Sequence, residues 1–387
     1  MGSVDLVKFM LEQGAAVNDT RHDQGYTALM FGALSGNGEV VSALLDAGAN
    51  IDETNKIGRT AFELASFTGQ HAAVAVLNNY LSPENIDFYI KPRRGETEPR
   101  LPGHLAVPMQ QLIRTSNVHP VNIIWRLVDN PTLGIENSKK ILYVLDDIME
   151  RQMKAKETNE LMAFKIHIIL RSLKEIFKFI SDTKTSKHDA PVCDILTAYA
   201  KYLLHCKEKP YTERLELFLR QCIKEFPYRQ SVVMVQMVKT LAKTKIGDEN
   251  APTAWQLIHQ VLLGTRVLSD EHFCKACGSA GAAKRCSACH VVNYCTVRCQ
   301  KLDWNAGHKI WCQKIAARAK KEAAEAKALK ETKNSQTDGE VGNEGMNEVT
   351  NDNENEQENE NSTPDKKRDI SDSDNNSVDF CKVEANS

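Results

Sequence analysis

Residues 274 to 312 constrain this chain more than any other stretch. They hold Cys274, Cys277, Cys286, Cys289, Cys295, Cys299, His308 and Cys312, eight soft or borderline ligands in under forty residues. Eight such side chains satisfy two tetrahedral zinc ions with no position left for water, so both sites read as structural and not catalytic. The first two pairs carry the two-residue gap of a zinc knuckle, and the last two carry a three-residue gap that spans about one helical turn. Two pairings are compatible with the spacing. Sequential pairing makes two independent lobes. Interleaved pairing sets Cys274, Cys277, Cys295 and Cys299 against Cys286, Cys289, His308 and Cys312, and ties together a segment too short to bury a core. Interleaving is preferred on that ground, but spacing alone leaves both open. His290, beside Cys289, reads as a surface residue and not a ninth ligand.

The residues between the ligands, Tyr294-Cys295, Cys299-Gln300, Asp303-Trp304 and His308-Lys309, make this stretch resemble a MYND zinc finger. That resemblance implies the interleaved pairing. It also implies binding of short proline-containing peptides, with Gln300 and Trp304 at the positions of the family's peptide contacts. A covering role for Trp304 over the metal site is the competing reading.

A disulfide framework is the alternative for so many cysteines, but the sequence shows no signal peptide and no secretory context. The cysteines outside the finger are Cys193, Cys206, Cys222 and Cys381, which lack ligand spacing and read as three core thiols and one tail thiol. No apolar run approaches the roughly 20 residues needed to span a bilayer. The expectation is a reduced, soluble, cytoplasmic protein with no membrane insertion.

Residues 1 to 80 contain a repeat. Gly25-Tyr-Thr27-Ala28-Leu29 returns as Gly58-Arg-Thr60-Ala61-Phe62, a period of 33. The period and the Gly36 and Gly48 turn positions resemble ankyrin repeats, paired antiparallel helices that usually bind another protein. The usual Pro and His are replaced by Ala28 and Met30, then Ala61 and Glu63. The first repeat lacks its first helix, which reads as an N-terminally shortened isoform or gene model and leaves Leu6, Val7, Met10 and Leu11 short of cover. In the third repeat Asn78-Asn79-Tyr80 replaces the closing leucine and glycine turn. Packing of the stack on the next domain competes evenly with binding of a partner.

Residues 81 to 270 read as an all-helical middle domain. Ser82-Pro83-Glu84 is a helix start, and Lys91 to Pro102 a linker. Apolar residues recur at helical spacing in Ile141, Leu142, Leu145, Ile148 and Met149. The same spacing appears in Met162, Ile166, Ile169, Leu170 and Leu173, in Ile195, Ala198, Tyr199, Tyr202 and Leu203, and in Val232, Val235, Val238 and Leu241. His167, His188 and His205 read as surface or satisfied core residues. The finger then occupies 271–313, a solvated helix 314–331 and a disordered acidic tail 332–387. The fold class is mainly α.

Charge separates the parts. The tail holds 15 acidic and 5 basic side chains, so the whole chain's net charge of -2 divides into -10 there and +8 elsewhere. Ser371 and Ser373 lie in an acidic setting that reads as a solvating tail. The finger carries +4 by formal count, but seven thiolates and two Zn2+ bring it to about +1. That is too little for strong nucleic-acid binding by counterion release. A methyltransferase would need an Asn-His-x-Cys run and a Gly-rich cofactor loop, and neither is present.

The order of ankyrin repeats, helical middle, MYND finger and acidic tail resembles the ankyrin repeat and MYND domain-containing protein 2 family. The resemblance also rests on His22-Asp-Gln-Gly25-Tyr-Thr-Ala-Leu-Met30-Phe and Lys284-Arg285-Cys286-Ser287. It implies a non-enzymatic adaptor that traffics signalling proteins to the primary cilium, with an immunophilin-type prolyl isomerase among its partners. The competing reading is a transcriptional or chromatin regulator that recruits proline-containing corepressor peptides through the same finger.

Overall fold

The structure is a computed structural model, and it describes residues 3–92, 94–155, 158–186, 188–206, 211–248, 251–263 and 273–337. Residues up to 313 form one compact unit, and the described residues 314–337 belong to a second. The acidic runs, Ser371, Ser373 and Cys381 lie outside the described residues.

Five short helices build the N-terminal repeats: α1 (Val4–Glu12), α2 (Ala28–Ser35), α3 (Gly38–Asp46), α4 (Ala61–Phe67) and α5 (His71–Asn78). Their starts follow from local chemistry. Thr27 accepts from the Met30 N–H, Asn37 from Glu39 and Val40, and Thr60 forms a capping box with Glu63. Gly36 closes α2 at φ 72° and Gly48 follows α3 at φ 87°, left-handed values that Gly adopts without the Cβ penalty. Leu29, Met30, Val41, Leu44 and Leu45 form the core of the stack. No residue of α1 is buried, and Leu6 and Met10 are more than half exposed.

The third repeat departs from its pattern because it is built into the next layer of helices. Asn79 is buried and its Nδ2 donates to the carbonyls of Ala75 (2.6 Å) and Leu262 (3.3 Å). Lys165 Nζ donates to the Asn79 carbonyl at 3.1 Å, and Tyr80 Oη donates to the Leu45 carbonyl at 3.3 Å. Arg114 lies over the Tyr80 ring and pairs with Asp46. A closing glycine turn would supply neither the amide bonds of Asn79 nor the ring and hydroxyl contacts of Tyr80. The stack therefore packs on the helical body.

That body comprises α6 (Pro83–Ile90), α7 (Ala106–Arg114), α8 (Pro120–Asp129), α9 (Ser138–Lys154), α10 (Glu160–Ser186), α11 (Val192–Leu204), α12 (Glu213–Glu225), α13 (Val232–Ala242) and α14 (Ala254–Leu263). Pro83 opens α6 as expected, but Ser82 makes no backbone cap; its Oγ accepts from Asn85 Nδ2 instead. The long α10 is the hub. It packs along α9 and against α8, α11, α12 and α14, and it buries Phe164, Ile166, Ile169, Leu170 and Leu173. His167 donates Nε2 to the Cys222 carbonyl at 2.9 Å and is a satisfied core residue, while His188 is exposed. Cys206 and Cys222 are buried; Cys193 is half-buried at the start of α11 and so is not a core thiol.

Two apolar periods differ from expectation. In α11, Ile195, Tyr199 and Leu203 are buried while Ala198 and Tyr202 face outward. In α13 the core residues are Met234, Met237 and Leu241, and Val232, Val235 and Val238 are exposed. The two stripes lie side by side on one short helix, and spacing alone does not say which one meets the body.

The last described elements are the antiparallel strands β1 (Lys284–Arg285) and β2 (Asn293–Tyr294), then α15 (Val297–Asp303), a wide turn over Trp304–His308, and α16 (Lys309–Thr337). The backbone of α16 runs past residue 331 into what the composition marks as tail. Among the described residues no helix is long and apolar enough to cross a membrane.

Candidate metal centre

The strand pair decides the pairing. It sets Lys284 opposite Tyr294 and Arg285 opposite Asn293, while an isolated bridge draws Cys274 to Asn293. The first knuckle therefore lies beside Cys295, which follows β2. The second knuckle begins at Cys286, directly after β1, where the chain faces α16.

The two knuckles are built alike. The Gly278 N–H donates to the Cys274 carbonyl and the His290 N–H to the Cys286 carbonyl, both at 2.9 Å. The residue after each second cysteine is left-handed: Gly278 at φ 70° and His290 at φ 55°. Thr296 then takes an extended conformation and caps α15 through the Cys299 N–H. Cys295 accordingly lies at the end of a strand, and only Cys299 of that pair is helical. Gly307 at φ 147° turns the chain between α15 and α16, bringing His308 and Cys312 inward.

Cys274, Cys277, Cys295 and Cys299 gather into one cluster, and Cys286, Cys289, His308 and Cys312 into a second, with all ligand atoms of a cluster within 4.8 Å of one another. The interleaved arrangement is the one observed. A zinc–sulfur bond of about 2.3 Å gives a tetrahedral edge of about 3.8 Å between sulfurs. The recorded edges are 3.5 Å (Cys277–Cys295), 3.6 Å (Cys295–Cys299) and 3.8 Å (Cys286–Cys312), with 3.7 Å from Cys289 Sγ to His308 Nε2. The donor set, one of four thiolates and one of three thiolates with an imidazole, fits two structural zinc ions. Burial holds His308 below its ordinary pKa, which keeps the neutral, ligating form of the ring.

A buried Tyr294–Asp303 hydrogen bond (2.6 Å) braces the space between the strands and α15. Burial, then the neighbouring Asp303 charge, raises the Tyr294 pKa and keeps the phenol as donor. His290 is exposed and belongs to neither cluster. Gln300 is half-buried on α15. Trp304 is 40% exposed, and its ring meets the His308 ring edge-on with centroids 5.9 Å apart.

The finger does not stand apart from the body, a feature that sequence reasoning missed. Asn117 Nδ2 donates to the Cys277 carbonyl (3.0 Å) and to Ser279 Oγ (3.1 Å). His205 Nδ1 donates to the Ala306 carbonyl at 3.0 Å, and the Cys206 N–H donates to the same carbonyl. A Cβ at Gly278 would stand 2.6 Å from the Trp255 ring, and one at Gly307 2.6 Å from the Cys206 carbonyl oxygen. Both glycines are thus fixed by close approach of the body as well as by backbone angle.

Comparison with known proteins agrees with this geometry. The ankyrin-repeat family matches residues 1–89 in three copies, and the MYND finger family matches residues 274–312. Dauer abnormal formation protein 25 of Caenorhabditis elegans is 37% identical over 321 residues, covering 82% of this chain and 80% of that protein. Ubiquitin carboxyl-terminal hydrolase 19 of Arabidopsis thaliana is 45% identical over 47 residues, 12% of this chain and 7% of that enzyme. Both matched families are non-catalytic interaction modules, so the chain has a protein-interaction role.

Proposed function

Because the chain belongs to the ankyrin repeat and MYND domain-containing protein 2 family, we propose that it is a non-enzymatic adaptor whose finger holds proline-containing peptides while the ankyrin-helical body holds a second protein. The observation that carries the peptide site is the placement of Trp304. The finger meets the body through Cys277, Gly278, Arg298, Ala306 and Gly307, and Trp304 stays exposed. Gln300 lies one helical turn earlier; its carbonyl accepts from the Trp304 N–H, and this places the two side chains on one face. A flat indole suits proline rings, and an amide side chain offers both donor and acceptor to a peptide backbone.

Each cluster offers four protein ligands, which would leave a bound zinc ion without an open coordination position for hydrolytic chemistry and supports the non-enzymatic reading. Family membership supports a role in carrying signalling proteins to the primary cilium, with an immunophilin-type prolyl isomerase as partner. The test is a Trp304→Ala sample measured twice, for zinc by native mass spectrometry and for affinity towards a proline-containing peptide. The expected result is two zinc ions retained and peptide binding weakened by about 1–4 kcal/mol. A zinc-loaded variant that binds at full strength would overturn the peptide site. Joint loss of metal and binding would make Trp304 a cover for His308.

A further inference from the structure

Helix α13 presents an exposed apolar stripe. Val235 and Val238 are 37% and 46% exposed, while Met234 and Leu241 on the adjoining face are buried. With Ile223 of α12 these residues form a groove of about 620 Å³. Its rim is basic, with Lys224 on α12, Arg229 in the connection between the helices and Lys239 on α13.

Among the described residues nothing compensates the rim charge. Lys224, Arg229 and Lys239 are exposed, and none has an ion-pair partner among the described residues. Helix α13 contains no acidic residue. The acids of α12 nearest the groove are committed elsewhere: Glu216 accepts from the Ala254 N–H and pairs with Arg220 at 2.7 Å, and Glu225 pairs with Arg171 at 2.7 Å. Three cations around exposed valines complement an occupant that is apolar along one line and acidic on its flanks.

The walls also select its conformation. Backbone groups of α12 and α13 are satisfied within their own helices, so the groove has no free strand edge to pair with an extended peptide. A helical occupant satisfies its own backbone and needs only side-chain contacts. We propose that the α12–α13 groove is a docking site for an acidic amphipathic helix of a partner protein, with its apolar stripe on Val235 and Val238 and its carboxylates on Lys224, Arg229 and Lys239. The site rests on the adaptor reading of the body but is independent of the finger.

The probe is a fluorescein-labelled designed helix with leucines at i, i+3, i+4 and i+7 and glutamates on both flanks, titrated against the full chain by fluorescence anisotropy. Binding is expected to weaken as salt is raised. Val238→Glu, and separately Lys224→Glu with Lys239→Glu, should each weaken binding by about tenfold or more. All three side chains are exposed, and circular dichroism checks that the fold is kept. A charge-swapped peptide with lysines on its flanks should bind the double-Glu variant better than the wild type, which a merely destabilised protein would not do. Trp304→Ala should bind the acidic helix as the wild type does, so failure of the finger site and failure of this groove are read separately. Four results would overturn the proposal: no binding by the wild type, equal binding of a sequence-scrambled peptide, variants that bind unchanged, or dependence on Trp304. Two more would overturn it in favour of another occupant. One is co-sedimentation with phosphatidylserine vesicles through these residues without peptide binding, and the other is self-association of the chain that Val238→Glu abolishes.

Discussion

Arg298 lays its guanidinium 3.6 Å from the centroid of the Trp125 ring and reaches Asp129 at 3.1 Å, joining α15 of the finger to α8 of the body. Its Nε and Nη2 are buried without hydrogen-bond partners, so the indole face and the Asp129 carboxylate together offset the desolvation of this cation. Arg298→Ala should lower stability by about 1–2 kcal/mol and speed zinc release to a chromogenic chelator. Arg298→Lys should recover only part of this, because an ammonium has no planar face to stack. Denaturant unfolding and the release rate check both, and wild-type values for Arg298→Ala would remove the joint from the account.

Metal removal should be felt beyond the finger. Structural zinc in small modules supplies about 10–16 kcal/mol of apparent binding free energy at neutral pH. Cys295→Ser breaks the first cluster, and the carbonyls of Cys277 and Ala306 that accept from Asn117 and His205 should then lose their places. The expected outcome is loss of zinc together with faster hydrogen exchange in α8 and α11. Exchange in those helices that stays at wild-type rates would mean the body is indifferent to the finger.

His290 occupies in the second knuckle the left-handed position that Gly278 occupies in the first. A non-glycine residue there carries a Cβ penalty of about 1–2 kcal/mol. His290→Gly should therefore raise the stability of the zinc-bound finger by about 0.5–1 kcal/mol and leave two zinc ions bound. Loss of one ion on that substitution would make His290 a ligand.

Lys165 is fully buried, with Nζ on the Asn79 carbonyl, and burial with help from Arg114 pushes its pKa down from 10.5 to about 7. Between those two values the unfolded chain holds a proton that the folded chain has released. Stability should therefore rise with pH across that window, by on the order of 1.4 kcal/mol per pH unit from this group alone, and be lost again as pH falls through it. Lys165→Met should flatten that dependence. Chemical denaturation across the window measures it, and an unchanged slope in the variant would assign the dependence to other groups.

The features legible in the sequence are those that local spacing fixes. Ligand gaps place each knuckle, a period of 33 places each repeat, and Gly36 and Gly48 mark the turns after α2 and α3. What spacing could not supply is choice between faces. Val232, Val235 and Val238 have helical period, yet Met234 and Met237 take the core, since burial depends on where α12 and α14 lie. Contacts between distant segments were equally silent. Asn117, Trp255 and His205 belong to no motif, and only the folded chain brings them to Ser279, Gly278 and Ala306. Asn79 came nearest to a signal, because its departure from the repeat pattern marks the place where the stack is joined to Lys165 and Leu262.

The seam around Gly278 and Gly307 bears on how the finger can be borrowed. A segment cut at 271 and 313 has the right ligands, but it would leave behind Trp255, against which Gly278 sits, and the Cys206 carbonyl that Gly307 skirts. Arg298 would be stranded in water without its indole. The transplantable piece for a fusion or a screening reagent is therefore larger than its ligand pattern advertises, and has to bring α8, α11 and α14 with it.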